Sequence, residues 1–85
     1  MAKVEVYTTN WCPYCNRAKG LLKKLGQEYE ETNIENDDSK RDEMIKRAGG
    51  ARTVPQIFID GKHVGGCDEL HGLHSSGKLE KMLKS

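Results

Sequence analysis

The sequence predicts an α/β protein whose four strands form one mixed sheet flanked by helices. Three observations carry that prediction. Val4 and Val6 alternate with Lys3 and Glu5, and an amphipathic helical pattern follows a few residues later. The apolar run Gln56 to Ile59 ends in Asp60-Gly61, a pair suited to the positive φ angles of a tight hairpin. Between these segments lie one further strand-like and one further helix-like stretch. The order is strand, helix, strand, helix, strand, strand, helix, and its first three elements make a parallel unit with a crossover helix.

The first strand is expected over Lys3 to Thr8, where Val4, Val6 and Tyr7 favour extended backbone. Thr9 to Trp11 is the loop at its carboxyl end. Pro13 suits a first helical turn, where its missing N–H costs nothing. Ala18, Leu21, Leu22 and Leu25 recur at helical spacing to about Leu25, and Gly26 stops the helix. Gln27 to Ile34 reads as a more polar strand. Ser39 followed by Asp42 resembles a capping box for a second helix, with Met44, Ile45 and Ala48 as its apolar stripe and Gly49-Gly50 as its end. Gln56 to Ile59 and Lys62 to Val64 form the hairpin. Asp68 to His74 and Lys78 to Leu83 are short helical patterns that turn Leu70, Leu73, Leu79, Met82 and Leu83 inward, separated by Ser75-Ser76-Gly77.

An 85-residue chain is expected to form one domain, residues 1–85, with a modest core. Fourteen Lys and Arg against thirteen Asp and Glu give a net charge of +1, so nothing pulls the protein toward nucleic acid or an anionic membrane. No apolar run approaches the roughly 20 residues of a membrane span. Met1 to Tyr7 lacks the basic and apolar regions of a signal peptide. A cytoplasmic monomer is expected. Three cysteines do not make a disulfide framework, and in a reducing compartment a close pair is catalytic or metal-binding more often than structural.

The chemistry points to Cys12 and Cys15. Cys12 falls between the first strand and the first helix, where unpaired N–H groups and the helix dipole favour a thiolate. Cys15 lies one turn in, nearer the interior, and should be closer to an ordinary thiol. Cys12 is therefore the expected nucleophile and Cys15 the resolving thiol. If the Cys12 pKa drops from about 8.5 to about 5, its thiolate fraction at neutral pH rises about 30-fold. With a Brønsted slope of about 0.45, intrinsic nucleophilicity falls roughly 40-fold, so attack breaks even. The gain is in leaving: a low-pKa sulfur departs readily when a second thiol attacks the mixed disulfide.

Other readings compete for the pair. Zinc would need two more ligands from Cys67, His63, His71 and His74, and no second C-x-x-C or H-x-x-x-H occurs, so no metal is expected. A structural disulfide fits poorly with a reducing compartment. An iron–sulfur carrier that shares a cluster between two chains is the alternative function, although Pro13 stiffens the turn that would open toward it. Cys67 reads as a small packing residue near a helix start, where the helix tip could also activate it as a third thiol. Trp11 is either a partner contact or a loop aromatic, and the histidines are expected at the surface.

The CPYC at 12–15, the TVPQIFIDG at 53–61 and the GGCDEL at 65–70 together resemble the dithiol glutaredoxins, most closely the small bacterial ones. The resemblance spans essentially the whole chain, and three segments in order are far more specific than CPYC alone. It implies a thioredoxin fold and a glutathione-fed reduction of protein disulfides and glutathione mixed disulfides. Glutathione would be the reducing co-substrate. Partners would be disulfide-containing or glutathionylated proteins, ribonucleotide reductase among them. It also implies a glutathione site. Tyr14 would flank the tripeptide, with Thr53 beside Val54. Val54, before a Pro55 expected to be cis, would pair with the cysteinyl part as an added strand. Gly66, Cys67 and Asp68 would meet the γ-glutamyl end at a helix start. Arg41 would meet the glycyl carboxylate. One position departs: many relatives carry Lys three residues before the first Cys, where this chain has Thr9. Thr9→Lys is expected to tighten glutathione binding and lower the Cys12 pKa, measured by kinetics and by thiolate absorbance; no change in either refutes that role.

Overall fold

The computed structural model describes residues 2–84. Its elements run β1 (Val4–Thr8), α1 (Pro13–Lys24), β2 (Glu30–Asn33), α2 (Asp38–Arg47), β3 (Gln56–Ile59), β4 (Lys62–Gly65), α3 (Cys67–Ser75) and α4 (Lys78–Lys84). The sheet order is β2-β1-β3-β4. β1 pairs parallel with β2 and antiparallel with β3, and β3 pairs antiparallel with β4. The expected mixed four-stranded sheet with helices on both faces is what forms.

Strand alternation divides the core between the two faces. Val4, Val6, Ile57 and Ile59 point to the side where Ala18, Leu22, Leu70 and Leu79 pack, so α1, α3 and α4 cover that face. Tyr7 and Phe58 point to the other side and meet Ile34, Met44 and Ala48, so α2 covers it. Tyr7 and Phe58 meet edge to face at 5.7 Å.

Element ends follow local chemistry. Gly26 takes φ 71° after α1, and the Gln27 N–H reaches the Leu22 carbonyl at 2.9 Å, closing a Schellman turn. Gly49 ends α2 in the same way, with the Gly50 N–H on the Ile45 carbonyl at 2.8 Å. Asp60 and Gly61 both have positive φ, as the hairpin requires. Several ends shift by a residue, and three boundary differences have a physical consequence. The N-cap of α2 is Asp37, whose carboxylate accepts from the Lys40 N–H at 3.0 Å, so Ser39 and Asp42 lie inside the helix. β2 keeps only four of the eight expected residues, because β1 offers partners only from Glu5 to Thr8. α3 begins one residue earlier than expected, which places Cys67 in its first turn.

A polar cluster stands on the α2 face. The Arg47 guanidinium forks onto both Glu5 carboxylate oxygens at 2.9 and 3.0 Å, donates to the Tyr7 hydroxyl at 2.8 Å, and lies 4.1 Å from the Phe58 ring centroid. The Glu5 carboxyl is held below the usual carboxylate range, chiefly by its hydrogen bonds to Arg47, with burial opposing. A carboxylate depressed in the folded state stabilises the fold above its unfolded pKa, and that contribution is lost as pH falls through the folded value. Glu5→Gln is therefore expected to lower stability by about 1 kcal/mol near neutral pH. The gap to the native protein should close as pH falls below about 4, read from urea midpoints. A gap independent of pH would show that the ion pair is not its source.

Candidate active site

The site is assembled where β1 ends. Thr8 is fully buried, and its hydroxyl donates to Glu31 at 2.7 Å, which also accepts from Lys19 at 3.0 Å. The next loop is tied on both sides. The Asn10 N–H donates to Glu35 at 3.0 Å, and the Asn10 amide oxygen accepts from Asn33 at 2.9 Å. Trp11 takes φ 55°, an uncommon left-handed conformation for a large side chain, and stands 98 % exposed. The chain then turns into α1 at Cys12.

Cys12 is the N-cap of that helix. Its Sγ accepts from the Cys15 N–H at 3.1 Å, and Pro13 occupies the first helical position. Cys12 and Cys15 are joined as a disulfide with their Cα atoms 5.2 Å apart. Cys12 is partly exposed while Cys15 is 1 % exposed. The asymmetry expected from position is therefore present: an outer sulfur at a helix tip and an inner sulfur shielded by the fold. In the reduced state the Cys15 N–H and the helix dipole would both favour a Cys12 thiolate.

Cys12 stands beside a groove whose lining includes Val54 but not Cys12 itself. Its Sγ lies 4.0 Å from the Val54 carbonyl oxygen. The Val54–Pro55 peptide is cis, as expected. A groove of about 180 Å³ runs from there, lined by Tyr14, the segment Thr53 to Pro55 and the segment Gly66 to Glu69. Seven of the eight residues assigned to glutathione from the resemblance line this one space: Tyr14, Thr53, Val54, Pro55, Gly66, Cys67 and Asp68. Arg41 does not line it. It sits in the first turn of α2, where its N–H bonds the Asp37 carbonyl at 3.0 Å. A larger depression of about 670 Å³ runs along α2 past Arg47 and Arg52. It lacks Val54, the residue that meets the Cys12 sulfur, and Arg47 is committed to Glu5.

Glu69 is a groove residue that the sequence reading missed. Its carboxylate accepts from the Gly66 N–H at 2.7 Å and anchors the start of α3. The signal was present, since an acid three residues after a helix N-cap is half of a capping box. Gly65 has φ 121°, and a Cβ there would lie 2.7 Å from the same carboxylate, so only glycine fits.

Cys67 is the free thiol and is buried. Burial pushes its thiol up, Arg17 opposes that, and Asp68 and Glu69 add to it. Its Sγ lies 3.3 Å from the His71 Nδ1. The histidines are less exterior than expected: His71 and His74 are half-buried, and His63, though exposed, bonds a buried side chain. Among the described residues, no group of three or more His, Cys, Asp or Glu is arranged to hold a metal ion. No helix among them is long and apolar enough to cross a membrane.

Comparison with known proteins agrees with this geometry. The glutaredoxin family model matches residues 4–64. The chain is 54% identical over 84 residues to Glutaredoxin 3 of Escherichia coli strain K12, covering 99% of this chain and 100% of that protein. It is 47% identical over 85 residues to a glutaredoxin of Pseudomonas aeruginosa, covering 100% of both chains. Among solved structures, the fold matches a solution structure of glutaredoxin from Brucella melitensis with TM-score 0.86 and 48% identity, covering 99% of this chain and 90% of that one. It also matches a buckwheat glutaredoxin–glutathione complex with TM-score 0.87 and 37% identity, covering 95% of this chain and 76% of that one. A paired Cys12–Cys15 at a helix tip, carried on this sheet and matched along the whole chain, shows that the protein belongs to the glutaredoxin family and is a thiol–disulfide oxidoreductase.

Proposed function

We propose that the protein reduces disulfides at the expense of glutathione, acting on glutathione mixed disulfides and on protein disulfides, and that it does so as a cytoplasmic single-domain monomer. The observation that carries this reading is the position of Cys12: its sulfur caps α1 and faces the carbonyl of Val54, a residue of the groove wall.

The reaction follows from sulfur exchange. The Cys12 thiolate attacks the glutathionyl sulfur of a mixed disulfide. A Cys12–glutathione disulfide forms, and the substrate thiol leaves. A second glutathione thiolate then attacks that glutathionyl sulfur, releasing oxidised glutathione and the Cys12 thiolate. With a protein disulfide, Cys12 forms the mixed disulfide with the protein, and Cys15 attacks Cys12 to release the second substrate thiol. The product is the Cys12–Cys15 disulfide. Two glutathiones then restore the dithiol, giving up two electrons and leaving as one disulfide.

The groove suits the tripeptide. Val54 would pair with its cysteinyl backbone as an added strand. The N–H groups at the start of α3 would take the γ-glutamyl carboxylate, and Asp68 its ammonium. Tyr14 would flank the bound peptide, with Thr53 and Pro55 completing one wall and Gly66 and Cys67 the other. Arg41 or Arg52 would take the glycyl carboxylate, which Thr9 cannot pair. Ribonucleotide reductase is a fitting protein substrate by family resemblance. The comparisons do not favour the cluster-carrier alternative.

Cys15→Ser is expected to keep activity on glutathione mixed disulfides and to lose at least about ten-fold on protein disulfides, because only the second reaction needs a resolving thiol. Cys12→Ser should lose both, in an assay coupled to glutathione reduction. Equal loss of both activities in Cys15→Ser would overturn the assigned roles. Cys67 is expected to stand aside: iodoacetamide should label it at least about 100-fold more slowly than Cys12 in the reduced native protein. Mass spectrometry that found comparable labelling would make Cys67 a second reactive thiol.

A further inference from the structure

Thr53 and Val54 form one wall of the groove, yet they precede β3 and fall outside the ladder that joins β1 to β3. A side chain holds this segment in place. Gln56 is 3 % exposed, and its Nε2 donates to the Thr53 carbonyl at 2.9 Å and to the Thr53 hydroxyl at 3.2 Å. A carbonyl oxygen can only accept, so the Gln56 amide nitrogen must face Thr53 and its oxygen must face away. That oxygen lies 2.6 Å from the His63 Nε2. His63 must therefore carry its proton on Nε2, and the bond holds whether the imidazole is neutral or charged. The His63 ring is set by its own packing: it lies opposite Phe58 in the β3–β4 ladder with ring centroids 5.2 Å apart.

We infer that His63, acting through Gln56, is a positioning residue that fixes the Thr53–Val54 backbone and thereby sets the affinity of the groove for its thiol substrate. Without the His63 donor, the Gln56 oxygen would be left unpaired in a site that hides the side chain from water. The amide would then turn to find another partner and release the Thr53 carbonyl. A backbone segment that must be ordered on binding weakens binding, whereas the sulfur chemistry at Cys12 is untouched. The inference rests on the glutathione reading of the groove.

The test compares His63→Phe, which keeps a ring against Phe58 and removes the donor, with His63→Gln, which restores an N–H donor. S-methylglutathione, which cannot exchange sulfur, serves as the binding probe, followed by amide shifts of the oxidised protein. His63→Phe is expected to weaken probe binding and to raise KM for the glutathione–cysteine mixed disulfide roughly five-fold, with kcat within about two-fold. Order at Thr53 and Val54, read by backbone relaxation without ligand, should fall. His63→Gln should recover most of each change. Should His63→Phe fold poorly by thermal melting, His63→Leu makes the same comparison. Native affinity in the donor-free variant, loss in kcat alone, or no recovery in His63→Gln overturns the inference while the groove reading stands. If the native protein shows no shifts at Thr53 and Val54 with the probe, the groove reading falls, and this inference with it.

Discussion

The hydrogen bond from the Cys15 N–H to the Cys12 sulfur is the interaction on which the site depends. It makes a sulfur the N-cap of α1, a position usually filled by an oxygen. A polarisable sulfur there takes one of the helix's unpaired donors, and the remaining dipole acts on the same atom. The inner sulfur is supplied by the same turn, since residue three of the helix both donates the N–H and carries the partner thiol. The helix cap and both sulfurs of the pair are thus supplied by four consecutive residues. The rest of the fold keeps that turn in register with a groove built from distant parts of the chain.

Two constraints supply that register. β1 delivers the loop before Cys12, and Asn10 is held by Glu35 and Asn33 from the β2 side. β3 begins just beyond Pro55, antiparallel to β1, so the Thr53–Val54 segment arrives beside the cysteine turn. The sheet core holds these strands through Val4, Val6, Ile57 and Ile59 on one face and Tyr7 and Phe58 on the other. Loss of packing on either face would shift the two walls of the groove relative to the sulfur, which links core stability directly to chemistry.

Much of this was legible in the residues, because the decisive signals were local. Alternation at Val4 and Val6, the Asp60-Gly61 turn and the glycines at 26 and 49 each encode an element or its end within a few positions. The difference in exposure between Cys12 and Cys15 also followed from local placement. What escaped were choices between near-equivalent local options and contacts set by tertiary register. Ser39 with Asp42 matched a capping pattern, but Asp37 caps the helix two residues earlier with a single carboxylate. The length of β2 was fixed by how much of β1 remained to pair with it. Arg41, which the resemblance assigns to the glycyl carboxylate, stands on the first turn of α2 and outside the groove lining. The His63–Gln56 contact joins residues seven apart across a hairpin with a register shift near Ile57, so no periodicity could reveal it.

The chain also contains its own control for the electrostatic argument. Cys12 and Cys67 both stand at the beginning of a helix, yet their surroundings oppose one another. Cys12 is the N-cap, and its side chain receives an N–H from the first turn. Cys67 is one residue further in, at the first helical position, where the side chain no longer turns back onto the free donors. The Gly66 N–H beside it is taken by the Glu69 carboxylate, and the charges of Asp68 and Glu69 disfavour a second anion. Burial is the larger cause that raises the Cys67 thiol, and Arg17 opposes it. Proximity to a helix tip is therefore insufficient to activate a thiol. The sulfur must occupy the cap itself, remain in reach of solvent, and have no carboxylate competing for the donors, and in this chain only Cys12 satisfies all three.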